Sequence, residues 1–287
     1  MPELPEVEAL AAFLAEQLTG RVIERVDIAA ISALKTFSPT VDALRNKTIT
    51  GTGRRGKHVL IHVDPLWLVI HLARGGWIKW VDEFSPKPSR PGKGPLALRV
   101  RLQGGGGIDV TEAGTEHRLA VWVANDPDDI ENVATLGPDP LTDAFDEAAL
   151  RAALTDAGNT QVKGALTDQR RIAGVGNAYS DEALHMAKLS PFKQSAKLTD
   201  EEVARLHAAI VTVLTDALER SKGLPAKGLK NEKKTGLRVH GRAGQPCPVC
   251  EDTIREVHFA TKSLQYCATC QTGGKPLADR RLSRLLK

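Results

Sequence analysis

The sequence predicts an α+β protein of two domains, and three observations carry that reading. Short β-branched and apolar runs fill residues 21–124, helical periods replace them after residue 140, and four cysteines close the chain as two CxxC pairs. A length of 287 residues suits two modest domains better than one core. With 41% hydrophobic and 26% charged residues, usage is ordinary for a globular chain, which argues against a disordered or fibrous protein. No run approaches the ~20 apolar residues that a membrane helix needs. The start, Met1-Pro2-Glu3-Leu4-Pro5-Glu6, is acidic and lacks the basic and apolar regions of a signal peptide. A soluble, intracellular protein without a membrane partner is expected.

The elements follow in order. Leu4, Val7, Leu10, Leu14 and Leu18 recur at three- and four-residue steps, so residues 4–18 predict an amphipathic helix closed by Gly20. Strands are expected at 21–29, 48–53, 57–63, 66–72, 77–81, 96–102, 108–111 and 118–124, the spacing of a sandwich or small barrel. The Pro-rich stretch 85–92 reads as a loop and Gly104–Gly107 as a turn. Leu136-Gly137-Pro138-Asp139-Pro140 is the linker. Helices are expected at 146–154, 161–169, 180–187 and 199–221, the last opened by a capping box, Thr199-Asp200-Glu201-Glu202. Residues 222–246 are Gly- and Lys-rich and read as mobile.

Charge is segregated along the chain. The formal net charge is only +4, yet residues 221–287 hold 14 Lys+Arg against 5 Asp+Glu, and residues 1–220 are net acidic. A basic end on an acidic body suggests a polyanion partner, although a solvated tail accounts for the charge equally well. Cys247 and Cys250 are separated by 16 residues from Cys267 and Cys270. Two such knuckles supply four thiolates to one closed, structural zinc ion, with residues 253–259 and 263–266 as a β-hairpin between them. Two disulfides or four free thiols are the alternatives, and an intracellular setting favours zinc. With no histidine or open position at the knuckles, the metal should hold shape and do no chemistry.

Methionine before a small residue is usually trimmed, and trimming here leaves Pro2 as a free secondary amine. An α-amino group has a pKa of about 8, so a neutral fraction is present near pH 7 to attack carbon. Glu3 stands beside it and could carry protons. Proline and acidic residues at a helix start are also ordinary capping chemistry.

The string Met1-Pro2-Glu3-Leu4-Pro5-Glu6-Val7-Glu8 resembles the start of the formamidopyrimidine-DNA glycosylase/endonuclease VIII family of repair enzymes. The resemblance continues in Arg54-Arg55-Gly56-Lys57, in Ala173-Gly174-Val175-Gly176-Asn177-Ala178-Tyr179, and from Gly241-Arg242 through the cysteines to Gln271. It implies an N-terminal β-sandwich with flanking helices over 1–135, a helix-two-turns-helix DNA-binding domain over 136–240, and a zinc finger and tail over 241–287. It also implies a bifunctional glycosylase/lyase acting on oxidised bases, slightly favouring purines of the 8-oxoguanine and formamidopyrimidine type, by β,δ-elimination. Pro2 matches the nucleophile and Glu3 the carboxylate that assists ring opening. Lys57 and Asn177 match phosphate contacts, and Lys163 a further lysine of the DNA-facing surface.

Some positions depart from the family pattern. Lys262 stands where an arginine usually precedes the third cysteine, keeping the charge without the bidentate fork. After His71-Leu72, Arg74 is the nearest candidate to fill the space of an extruded base. Glu116-His117-Arg118-Leu119 aligns to the second such segment, which makes Leu119 an apolar wedge and Arg118 a phosphate contact. The segment 222–236 corresponds to the family's lesion-reading loop. The expected partner is double-stranded DNA carrying damaged bases or abasic sites, met by a monomer holding one structural Zn2+ in the cytoplasm or, in a bacterium, the nucleoid. Alternatives are an endonuclease VIII-like enzyme for oxidised pyrimidines, a catalytically weak zinc-dependent binder of damaged DNA, or a zinc protein recruiting other proteins.

Overall fold

The structure is a computed structural model describing residues 1–85, 94–114, 116–258 and 263–278. The chain divides into two compact units, Met1–Thr135 with Ser221–Asn231, and Leu136–Arg220 with Glu232–Lys287.

The first unit opens with α1 (Leu4–Leu18), whose periodic residues Leu4, Val7, Leu10, Leu14 and Leu18 are all buried. Eight strands follow: β1 (Ile23–Ile28), β2 (Ile49–Arg55), β3 (His58–Val63), β4 (Leu66–His71), β5 (Gly76–Val81), β6 (Leu96–Leu102), β7 (Gly107–Glu112) and β8 (Ala120–Ala124). They form two antiparallel four-stranded sheets, ordered β1-β6-β7-β5 and β2-β3-β4-β8. Successive strand residues point to opposite faces, and Val59, Leu60 and Ile61 of β3 are all buried, so both faces of that sheet are covered. Helix α1 lies on β2 and β3 and covers one of them. A short helix, α2 (Glu131–Ala134), precedes the linker.

Two strand edges differ from expectation. Residues 118 and 119 are outside β8 because the Glu112 carboxylate takes the N–H groups of Arg118 at 2.8 Å and Leu119 at 3.0 Å. Lys57 belongs to a turn: Gly56 adopts φ +54°, a left-handed conformation that lets β2 reverse into β3.

The second unit begins with α3 (Glu147–Asp156), capped by Asp146, whose Oδ1 accepts from Ala149 N at 2.7 Å. Then come α4 (Val162–Thr167), α5 (Asn177–Met186) and the long α6 (Asp200–Ser221). The expected capping box of α6 is present: Thr199 N donates to Glu202 Oε2 at 2.9 Å, and Glu202 N to Thr199 Oγ1 at 3.3 Å. Turns at residues 168–176 join α4 to α5. Helix α4 stops two residues early because Gln169 braces the turns instead. Its Nε2 donates to Val175 O at 2.8 Å, and its Oε1 accepts from Gly174 N at 3.0 Å.

The segment 222–246 is not irregular throughout. It contains α7 (Ala226–Gly236), within which the two units divide. Ala226 and Leu229 are buried in the first unit, and Trp77 Nε1 donates to Ala226 O at 3.1 Å. The hairpin is β9 (Ile254–His258) paired with β10 (Ser263–Cys267), and α8 (Ala268–Thr272) follows. Among the described residues, no helix is long and apolar enough to cross a membrane.

Candidate functional site

In the first unit, Pro2 is buried at the head of α1, with Glu3 and Glu6 each 2% exposed. Glu3 N donates to Glu6 Oε2 at 2.8 Å, one half of a reciprocal capping box that fixes the start of the helix. Two side chains of β2 set the register of the helix above it. Thr52 Oγ1 donates to Ala11 O at 2.6 Å, and Arg54 Nε reaches Glu8 Oε2 at 2.7 Å. Advancing along β2 from 52 to 54 therefore retreats along α1 from 11 to 8. Continued to the Gly56-Lys57 turn, the same antiparallel run leads to the N-terminal end of α1.

Lys57 is only 6% exposed, between Arg55 and the buried His58. The His58 ring lies 4.8 Å from His71 and 5.9 Å from Trp122, centroid to centroid. Burial holds His58 down at about 4 and His71 at about 3, and the Lys57 ammonium pushes both the same way. Both imidazoles are therefore neutral near pH 7. Arg74 and Arg118 share one carboxylate, Glu116, at 2.8 and 3.7 Å, with 58% and 76% of their side chains exposed. Such exposed pairs are worth about 0–1 kcal/mol.

In the second unit, Asn177 is the first residue of α5, not a position ahead of it, and Gly176 is its N-cap. Its Nδ2 donates to Ser263 O of β10 at 2.8 Å. Lys163 is 9% exposed, and its Nζ meets Asn177 O at 3.0 Å, Ser180 Oγ at 2.9 Å and Asp181 Oδ1 at 2.6 Å. All three acceptors belong to α5, so the ammonium is held against the first turns of that helix. The next residue, Glu182, accepts from the backbone N–H groups of Arg238, Val239 and His240 at 2.8, 2.9 and 2.8 Å. Burial still pushes its carboxyl above the ordinary range.

The four cysteine sulfurs gather within 4.8 Å of one another, with Cys247–Cys270 at 3.9 Å, Cys250–Cys267 at 3.3 Å and Cys250–Cys270 at 3.5 Å. Zinc–sulfur bonds of about 2.3 Å in a tetrahedron put sulfurs about 3.8 Å apart, so this donor set fits zinc. Val239, Ile254, Cys247 and Cys267 bury one side of the cluster, while Tyr266, Leu264 and Val257 of the hairpin pack with Phe192.

Comparison with known proteins agrees with these parts in order. Residues 1–115 match the formamidopyrimidine-DNA glycosylase N-terminal domain, 136–227 the formamidopyrimidine-DNA glycosylase H2TH domain, and 244–273 the zinc finger found in FPG and IleRS. An uncharacterized formamidopyrimidine-DNA glycosylase-like protein of Mycobacterium tuberculosis is 59% identical over 53% of this chain and 94% of its own. The formamidopyrimidine-DNA glycosylase of Symbiobacterium thermophilum is 34% identical over 98% of this chain and 93% of its own. The chain belongs to the formamidopyrimidine-DNA glycosylase family. Among solved structures, the MutM (Fpg) protein of Thermus thermophilus superposes with a TM-score of 0.80 at 30% identity, over 96% of this chain and 100% of that one. A Lactococcus lactis Fpg complexed with DNA containing an abasic site superposes at 0.82 and 25% identity, over 94% and 99%. Family membership makes the protein a DNA-repair glycosylase with a zinc finger, and its four cysteines hold one structural zinc that fixes the fold of the hairpin.

For this family member, two sequence expectations need correction. Leu119 is 1% exposed in the core of the first unit, so it has no surface with which to enter a duplex. Lys163 is a buried ion-pair partner that shapes the start of α5, not a surface lysine. Lys262 lies outside the described residues. The sequence reading also missed Gln169, Asp181, Glu182 and His185, which brace the turns or join α5 to the zinc-finger segment. The spacing of Asn177, Asp181 and His185, four residues apart on a helix, was the signal available.

Proposed function

We propose that the protein is a bifunctional DNA glycosylase and AP lyase that excises oxidised purines from duplex DNA, with Pro2 as its nucleophile. Met1 is 47% exposed and open to trimming, which frees the proline nitrogen. That nitrogen attacks C1′ of the damaged nucleotide, the glycosidic bond breaks, and the base leaves with a proton. Glu3 protonates the ring oxygen as the sugar opens to an iminium. The iminium acidifies the C2′ proton; its loss expels the 3′ phosphate, a second elimination expels the 5′ phosphate, and water releases Pro2. Lys57, Arg74, Arg118 and Asn177 contact the DNA, Lys57 at the phosphate nearest the lesion. Residues 1–135 act as the catalytic domain, 136–240 as the helical DNA-binding domain and 241–287 as zinc finger and tail, in the cytoplasm or nucleoid.

The observation that carries this reading is the placement of Pro2 and Glu3 at a fixed helix start toward which the Lys57 turn runs. Solved relatives bound to DNA containing an abasic site or carbocyclic 8-oxo-G support the substrate class. The test is base release and strand scission on duplexes each bearing one lesion: 8-oxoguanine, a formamidopyrimidine, an oxidised pyrimidine or an abasic site. Excision of the purine lesions, lost in Pro2→Gly, is expected. Cleavage confined to oxidised pyrimidines would transfer the substrate to the endonuclease VIII type. Tight binding without scission of any duplex would make the protein a binder of damaged DNA.

A further inference from the structure

Helix α5 carries Asn177, Asp181 and His185 at four-residue steps, and each meets the zinc-finger segment. Asn177 Nδ2 donates to Ser263 O at 2.8 Å. Asp181 Oδ2 accepts from Gln265 N at 3.2 Å and faces His240 Nδ1 at 2.7 Å. His185 Nε2 lies 3.3 Å from Sγ of Cys247, itself 1% exposed. Three residues on one helical face thus fasten α5 to the finger, and the last of them touches a metal ligand.

His185 is 3% exposed, and its Nδ1 has no hydrogen-bond partner among the described residues. A histidine kept only for packing would gain nothing from that stranded nitrogen, since an apolar ring fills the same space without it. A neutral imidazole has one N–H to place. A zinc-bound cysteine is a thiolate, with no proton to offer and an excess of negative charge to share. With the metal in place, the proton must sit on Nε2 for the contact to be a hydrogen bond.

We propose that His185 is a positioning residue of the zinc centre. Its Nε2–H donates to the Cys247 thiolate, secures the metal, and ties zinc loading to the setting of α5, whose first residue is Asn177. Outer partners of this kind orient a ligand and limit its charge. Zinc occupancy therefore reaches the N-terminal end of α5 through one helix of ten residues.

Three measurements on the zinc-loaded full chain decide it. Long-range 1H–15N NMR of the wild type should place the His185 proton on Nε2; a proton on Nδ1 would overturn the proposal. His185→Phe keeps a ring in the site but no donor, and should yield zinc to a competing chelator about 10–100-fold more readily. His185→Gln, whose amide N–H extends about as far, should retain zinc nearly as the wild type does. Wild-type retention in His185→Phe, or equal loss in both variants, overturns the hydrogen bond. If His185→Phe does not fold, the tautomer and His185→Gln still decide. The link to DNA rests on the proposed role of Asn177. His185→Phe should bind an abasic-site duplex more weakly in excess zinc, with affinity recovered in His185→Gln. If the wild type itself does not bind that duplex, the proposed function fails while the zinc result stands.

Discussion

Removing the Lys163 ammonium, as in Lys163→Met, separates a structural role from a phosphate contact. The Nζ–Asp181 pair is buried on both sides, with 11% and 1% of the two side chains exposed. Deleting one partner leaves the Asp181 carboxylate in the interior with His240 Nδ1 and the Gln265 N–H beside it. Breaking a buried pair in this way costs about 3–5 kcal/mol. At about 2–4 °C per kcal/mol for a chain of this size, melting should fall by about 6–20 °C. The salt dependence of duplex binding gives the second readout, because each phosphate contact contributes about 0.9 to the slope of log K against log salt. The structure predicts a large loss of stability, read by calorimetry, with that slope unchanged at a temperature where the variant is folded. A stability change under about 1 kcal/mol together with a slope reduced by about 0.9 would refute the reasoning.

Leu119→Ala opens a cavity in the first unit and should cost about 2–5 kcal/mol in urea unfolding, whereas Arg74→Ala should cost under about 1 kcal/mol and weaken DNA binding. His58 and His71 titrate below the unfolded value of 6.5, at about 4 and about 3. Between those limits the unfolded chain binds more protons, so the stability they contribute is present above pH 6.5 and declines as pH falls. The slope should be up to about 1.4 kcal/mol per pH unit for each histidine, and substituting His71 by Phe should flatten the acid limb of a denaturation series. Cys250→Ser should lose zinc by elemental analysis and duplex binding together; normal binding without metal would contradict a structural zinc.

Local patterns made the strands, α1, the capping box of α6 and the cysteine cluster legible, because each is specified within a few residues. What escaped was set by partners far along the chain. Lys163 looks like a surface lysine until Asp181, 18 residues on, is placed beside it. Leu119 reads as a candidate wedge by alignment, while its burial comes from sheet packing that no short window shows. Helix α7 contains Gly228 and Gly236, which oppose helix formation. The buried Leu229 and the Trp77 hydrogen bond to Ala226 supply the tertiary anchor that overrides that propensity. His185 gives no signal alone; only its four-residue spacing from Asp181 and Asn177 marks it.

The central claim is that the freed amine of Pro2 does the chemistry. Sodium borohydride trapping on an abasic-site duplex, followed by peptide mass spectrometry of the adduct, tests it most directly. A covalent DNA adduct on the nitrogen of Pro2, absent in Pro2→Gly, is predicted. An adduct on a lysine, or none from trimmed wild type that binds the duplex, would contradict it.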